Sequence, residues 1–156
     1  MNRYRSSLFP LAVAISALPV FAGEGETMRP VDHPATEAEC SACHMAYPAG
    51  FLPARSWTAI MATLDDHFGE NAAADDATRA DIEAYLVANA ADSGGRTSGM
   101  MRSVAPEATP LRITELPWFV REHSDEVSPK MKQQAGSMAN CNACHRGAAQ
   151  GRFEDD

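Results

Sequence analysis

Apolar positions in this chain recur at helical rather than strand spacing. Trp57, Ile60, Met61, Leu64 and Phe68 share one face of a 3.6-residue repeat, with Thr58, Asp65 and Asp66 opposite. The spacing predicts an amphipathic helix capped by Ser56 and ended by Gly69, with His67 on its apolar side. A second helix is predicted behind Asp75 or Asp76, with Ile82, Tyr85, Leu86 and Asn89 along one face. Thr114 opens a short helix through Leu116, Phe119, Val120 and His123, with Pro117 tolerated in its first turn. Ser128-Pro129 opens another, and Thr36-Glu37-Ala38-Glu39 reads as a capping box. No period-of-two alternation persists, so a mainly α fold is expected.

Breakers divide this pattern. Pro48, Gly50 and Pro53 make a loop of Met45–Pro53. Gly94, Gly95, Gly99, Pro106 and Pro110 punctuate a run of small polar residues from Ala91 to Pro110, too long for an ordinary loop inside a compact unit. The division expected is therefore 23–92, a linker at 93–110, and 111–156, two small units. Residues 1–22 have a different character. Arg3 and Arg5 precede an apolar stretch from Leu8 to Val20, and Val20-Phe21-Ala22 closes it, as in a secretory signal peptide. That stretch is too short to span a bilayer. The expected location is the periplasm.

Composition sharpens the picture in two ways. With 45% apolar and 22% charged residues the chain is ordinary for a globular protein, but aromatics are only 7%, so its own core is thin. The net charge is −8, and loss of residues 1–22, which hold two arginines and no acid, lowers it to −10. An acidic chain is a poor candidate for nucleic acid.

The decisive residues are Cys40-Ser41-Ala42-Cys43-His44 and Cys141-Asn142-Ala143-Cys144-His145. Each is C-x-x-C-H, the attachment signature of c-type haem. Two thiols on one helical turn reach the two vinyl groups of one porphyrin, and the next residue offers its imidazole to the iron. A zinc ribbon would place its two knuckles far closer together. Disulfides or a redox dithiol would not need a histidine after both pairs, and no βαβ pattern surrounds either. Two covalently attached haem c groups are expected, held by Cys40, Cys43, Cys141 and Cys144, with His44 and His145 as proximal ligands.

The other axial ligands must come from His33, His67, His123 or a methionine. A flat apolar cofactor needs an apolar helical face over it. His67 lies in line with Trp57, Ile60 and Leu64, and His123 with Leu116 and Phe119, so these two are the candidates. His33 stands in a polar, proline-bounded stretch and reads as solvent-exposed. Met61, Met131 and Met138 are rivals, although methionine at helical spacing is more often core filler. Arg55, Arg112 and Tyr47 are candidates for the haem propionates, and Trp57 and Trp118 for packing on the porphyrin.

At these residues the chain resembles the periplasmic dihaem cytochrome c family. The stretches that carry the resemblance are CSACHMAYP, LPARSWTAIM, DDHFGENA, IEAYLVANAAD, RITELPWFVREH and NCNACHRGAAQGRFED, most of residues 40–155 outside the linker. The resemblance implies a mainly helical protein of two small haem-binding domains, the first similar to a class I cytochrome c and the second small and irregular. It implies bis-histidine irons, His44 with His67 and His145 with His123. It also implies a low-potential electron carrier between a membrane b-type cytochrome and an oxygen-binding monohaem cytochrome c. Two other readings compete: a dihaem peroxidase or gas-reactive cytochrome, which needs an open iron site, and the electron-transfer subunit of a periplasmic reductase, in which the two motifs usually lie closer together.

Overall fold

A computed structural model describes residues 27–95 and 99–154 of the chain. The predicted signal peptide, residues 1–22, lies outside the described residues. The described residues form α-helices joined by short 3₁₀ turns: α1 (Pro34–Cys40), α2 (Ala54–Met61), α3 (Asp76–Ala88), α4 (Pro117–Ser124) and α5 (Pro129–Ala135). The fold is mainly α, and the pairing seen among the described residues consists of isolated bridges, Thr27 with Arg152 and His67 with Glu70.

Helix α2 packs on α3, burying Trp57, Ile60 and Met61 against Ile82 and Leu86. The Trp57 indole donates to the Ala49 carbonyl at 2.8 Å, so its buried N–H is satisfied. Asp75 is the cap of α3, accepting from Ala77 N and Thr78 N, and Ser128 caps α5.

Three predicted caps are displaced. α1 begins at Pro34 with His33 as its cap: the His33 ring accepts from Thr36 N, and proline at the first position gives up no needed N–H. Thr36 is instead buried in the first turn. α2 begins at Ala54, and a distant residue supplies the cap, since Asp92 accepts from Ala54 N at 2.8 Å. Ser56 is fully buried, and its hydroxyl has no partner among the described residues. α4 begins at Pro117 after a 3₁₀ turn over Ile113–Glu115, with Leu116 rather than Thr114 before it.

The largest departure is at the end of α2. The helix stops at Met61 instead of running to Gly69. The Thr63 hydroxyl bonds back to the Ala59 and Ile60 carbonyls as its backbone leaves the helical region. A 3₁₀ turn follows at Leu64–Asp66, then a tight reversal in which His67 N donates to Glu70 O at 2.7 Å. Phe68 takes φ +57° and Gly69 φ +99°. Phe68 is therefore 45% exposed rather than part of the core.

The first and last parts of the chain touch at several points. Phe51 meets Trp118 and Phe153, at ring separations of 6.3 and 5.1 Å. Met28 N donates to Gly151 O at 2.7 Å, and a Cβ at Gly151 (φ +75°) would collide with the Met28 backbone, so only glycine fits there. The stretch read as linker carries 3₁₀ turns at Ser93–Gly95 and Gly99–Ser103, and Met100 and Met101 bury themselves beside α4. Two adjacent apolar side chains in a polar run suffice to pin it to the core.

Candidate haem sites

Cys40 ends α1 and Cys43-His44 follow in a turn, so the first motif leaves the helix as it reaches its histidine. The second motif forms a 3₁₀ turn at Cys141–Ala143, closed by bonds from Cys144 N and His145 N to Cys141 O. None of the four cysteines is tied up in a disulfide. Burial pushes the Cys40 and Cys141 thiols up; Glu39 adds to this at Cys40 and Cys144 at Cys141.

Each motif histidine faces one of the two predicted partners. His44 and His67 have ring centres 6.2 Å apart, and so do His123 and His145. Two imidazoles bound to one metal through bonds of about 2 Å stand with ring centres roughly 6–6.5 Å apart. Both pairs are therefore spaced as two imidazoles that would share one iron. The ring planes meet at 29° in the first pair and 90° in the second.

The outer ring nitrogens show how these imidazoles are held. His44 Nδ1 lies 2.7 Å from Met45 O, His123 Nδ1 2.8 Å from Phe119 O, and His145 Nδ1 3.2 Å from Glu154 O. A carbonyl on Nδ1 selects the tautomer with its proton there and leaves Nε2 free to bind metal. His123 also stacks on Phe119 at 3.9 Å. Among the described residues His67 has no such carbonyl; it packs against Phe68, whose ring in turn lies under the Arg112 guanidinium at 4.0 Å. Burial, followed by the nearby His44 and Arg112, moves the His67 pKa down, which favours the neutral ring that a metal needs.

His123 and His145 open onto a cavity of about 1310 Å³. Its walls include Phe51, Trp118, Phe119, Met131, Met138 and Phe153, with Cys141 and Cys144 on the floor. An apolar space beside two thiols and two facing imidazoles fits a covalently held porphyrin. When bound, haem supplies a one-electron iron couple; the chain's part is to hold the imidazoles, exclude water and set the local charge.

The remaining candidates fall elsewhere. His33 is half-buried rather than exposed: it stacks on Tyr85 at 4.7 Å and its Nε2 lies 3.3 Å from Asp81. Met61 is in the α2–α3 core. Arg55 holds the 105–108 loop through the Ala105 and Ala108 carbonyls and pairs with Asp92. Arg112 pairs with Glu115 besides covering Phe68. Tyr47 has a role that its sequence context did not signal. Its ring stacks on His44 at 4.8 Å and its hydroxyl donates to Ala139 O at 2.7 Å, joining the first haem motif to the approach of the second.

Helices arranged around two motif-anchored histidine pairs define a covalent dihaem protein. The family model of dihaem cytochrome c matches residues 36–153, and the chain belongs to that family. A diheme cytochrome c from Rhodobacter sphaeroides is 61% identical over 80% of this chain and 99% of its own, with a TM-score of 0.77. A second structure, of DHC purified from Rhodobacter sphaeroides, is 60% identical over the same shares, with a TM-score of 0.70. The diheme cytochrome sb-DHC from Shewanella baltica OS155 is 41% identical over 77% of this chain and 85% of its own, with a TM-score of 0.62. No curated protein matches. The chain is thus a cytochrome with two haem c groups, an electron-transfer protein rather than an enzyme. No helix of the described residues is long and apolar enough to cross a membrane.

Proposed function

We propose that this cytochrome is a periplasmic low-potential carrier whose irons are both bis-histidine, His44 with His67 and His145 with His123, on haems held by Cys40, Cys43, Cys141 and Cys144. The observation that carries this reading is the equal 6.2 Å separation of the two histidine pairs, each including the histidine of a C-x-x-C-H motif. Two strong nitrogen donors favour a low potential, and six-coordination lets iron change oxidation state with little rearrangement. Residues 1–22 direct export, and residues 23–92 and 111–156 each carry one haem, with 93–110 between them. The donor is a membrane b-type cytochrome and the acceptor an oxygen-binding monohaem cytochrome c. The acidic chain favours an acceptor with a basic docking face, whose association slows as salt rises.

Optical and electron paramagnetic resonance (EPR) spectra of the matured protein test the ligands. Two low-spin haems per chain are expected, with no methionine–iron band at the red end. A high-spin fraction, or rapid carbon monoxide binding at neutral pH, would overturn the carrier and favour a gas-reactive enzyme. Stopped-flow mixing with the acceptor over a range of ionic strength tests docking; a salt-independent rate would remove the charge argument.

A further inference from the structure

The two histidine pairs differ in what stands behind them. At the second centre both imidazoles have Nδ1 against a backbone carbonyl, Phe119 O for His123 and Glu154 O for His145. At the first centre only His44 does, through Met45 O. The surrounding charge differs in the same sense. Glu126 and Glu154 line the cavity of the second centre, as does Glu122, which is paired with Arg121, and no lysine or arginine is among the described lining residues. Beside the first centre, the Arg112 guanidinium, itself paired with Glu115, lies over Phe68, the ring packed on His67.

We propose that the centre at His44 and His67 has the higher potential, so that an electron entering the chain comes to rest there and leaves from that side. This rests on the ligand pairs proposed above. A carbonyl on Nδ1 makes the imidazole a stronger donor and so favours the oxidised iron. Nearby carboxylates also favour the oxidised, more positive centre, and a guanidinium disfavours it. Two features act the other way: the crossed ring planes of the second pair, and Asp65, Asp66 and Glu70 on the turn that carries His67. The extra hydrogen bond acts on the ligand itself and sets the order, whereas the carboxylates at both centres, Asp65, Asp66 and Glu70 as much as Glu122, Glu126 and Glu154, are exposed and screened. One additional hydrogen bond to a group of changing charge corresponds to a bias of roughly tenfold in where the electron resides. The exchange between centres is one electron in and one out, iron(II) becoming iron(III) at the second as the reverse occurs at the first, with no proton required.

The ring planes supply the readout. Histidine planes 29° apart give a rhombic EPR signal, and planes at 90° give one with a single large g value, so the two oxidised centres are told apart in the intact holoprotein. In an EPR-monitored redox titration the rhombic signal should vanish first as the potential is lowered. Glu126→Gln should move the second step up and leave the first in place, and Arg112→Gln should move the first step down. Loss of the large-g signal before the rhombic one would overturn the proposal while leaving the ligand pairs intact. A methionine-type, high-spin or single shared signal would instead overturn the ligand pairs on which it rests.

Discussion

Between α2 and α3 the first part of the molecule supplies most of the core: Trp57, Ile60, Met61, Ile82 and Leu86 are buried there, and Leu116 and Phe119 join the same cluster from the second part. In residues 111–154 the described buried side chains of any size are Leu116 and Phe119, while Ile113, Trp118, Met131, Met138 and Phe153 line a cavity. The first region buries most of its apolar side chains within the protein core. The second contributes fewer side chains to that core, and the apolar faces it turns to the cavity are covered when the porphyrin fills the space. Burial of apolar area is the main force of folding, so the two regions should depend on cofactor to different degrees.

The strongest test removes attachment at one site. With Cys141→Ser and Cys144→Ser together, amide hydrogen exchange should rise throughout α4 and α5 while α2 and α3 stay protected. With Cys40→Ser and Cys43→Ser, α2 and α3 should still be protected. Equal loss in all four helices would mean that the regions fold as one unit and the comparison fails.

Single core truncations sharpen it next. Ile82→Ala, at a site 1% exposed, should cost about 2–5 kcal/mol in denaturant titration whether or not the second haem is attached. Leu116→Ala, fully buried beside Phe119, should cost a similar amount and, unlike Ile82→Ala, should also loosen hydrogen exchange in α4 and α5.

Tyr47 joins the regions and has a smaller effect. Tyr47→Phe keeps the ring on His44 but loses the bond to Ala139, at a cost of about 1 kcal/mol, and should loosen hydrogen exchange around residues 139–145. Burial, with Cys141 as the lesser cause, pushes the Tyr47 hydroxyl up from 10.0 to about 12. The folded state therefore holds this proton more tightly than the unfolded chain. Its contribution is complete below pH 10 and is lost as pH rises toward 12, so alkaline titration of stability should fall in that window for the native chain and not for Tyr47→Phe.

The smallest effect is local to α3. Hydrogen bonds from Thr78, through its side chain first and then its backbone, hold the Asp75 carboxyl below its ordinary 3.8. A lowered carboxyl stabilises the fold above that ordinary value, and the gain disappears as pH falls through the folded one. Asp75→Ala should flatten the acid limb of the stability curve slightly and fray the first turn of α3 in hydrogen exchange, leaving both haem spectra unchanged.

Local chemistry made much of this protein readable from its residues alone. The two C-x-x-C-H motifs depend on adjacent atoms reaching one cofactor, so their spacing already names haem c. The caps at Asp75 and Ser128 and the burial of Ile82, Leu86, Leu116 and Phe119 follow from neighbours within a turn or two. What sequence could not reveal depends on partners far along the chain. Asp92 caps α2 across 38 positions, and Tyr47 reaches Ala139 across 92. His67 shows the difference within one residue. Helical periodicity pointed to it, yet the helix ends at Met61, and a reversal with Phe68 at positive φ brings its ring opposite His44. A short helical period fits both a continued helix and a broken one. Only the return of the chain onto its own first haem motif decides between them, because that contact is made by residues brought together in space rather than in sequence.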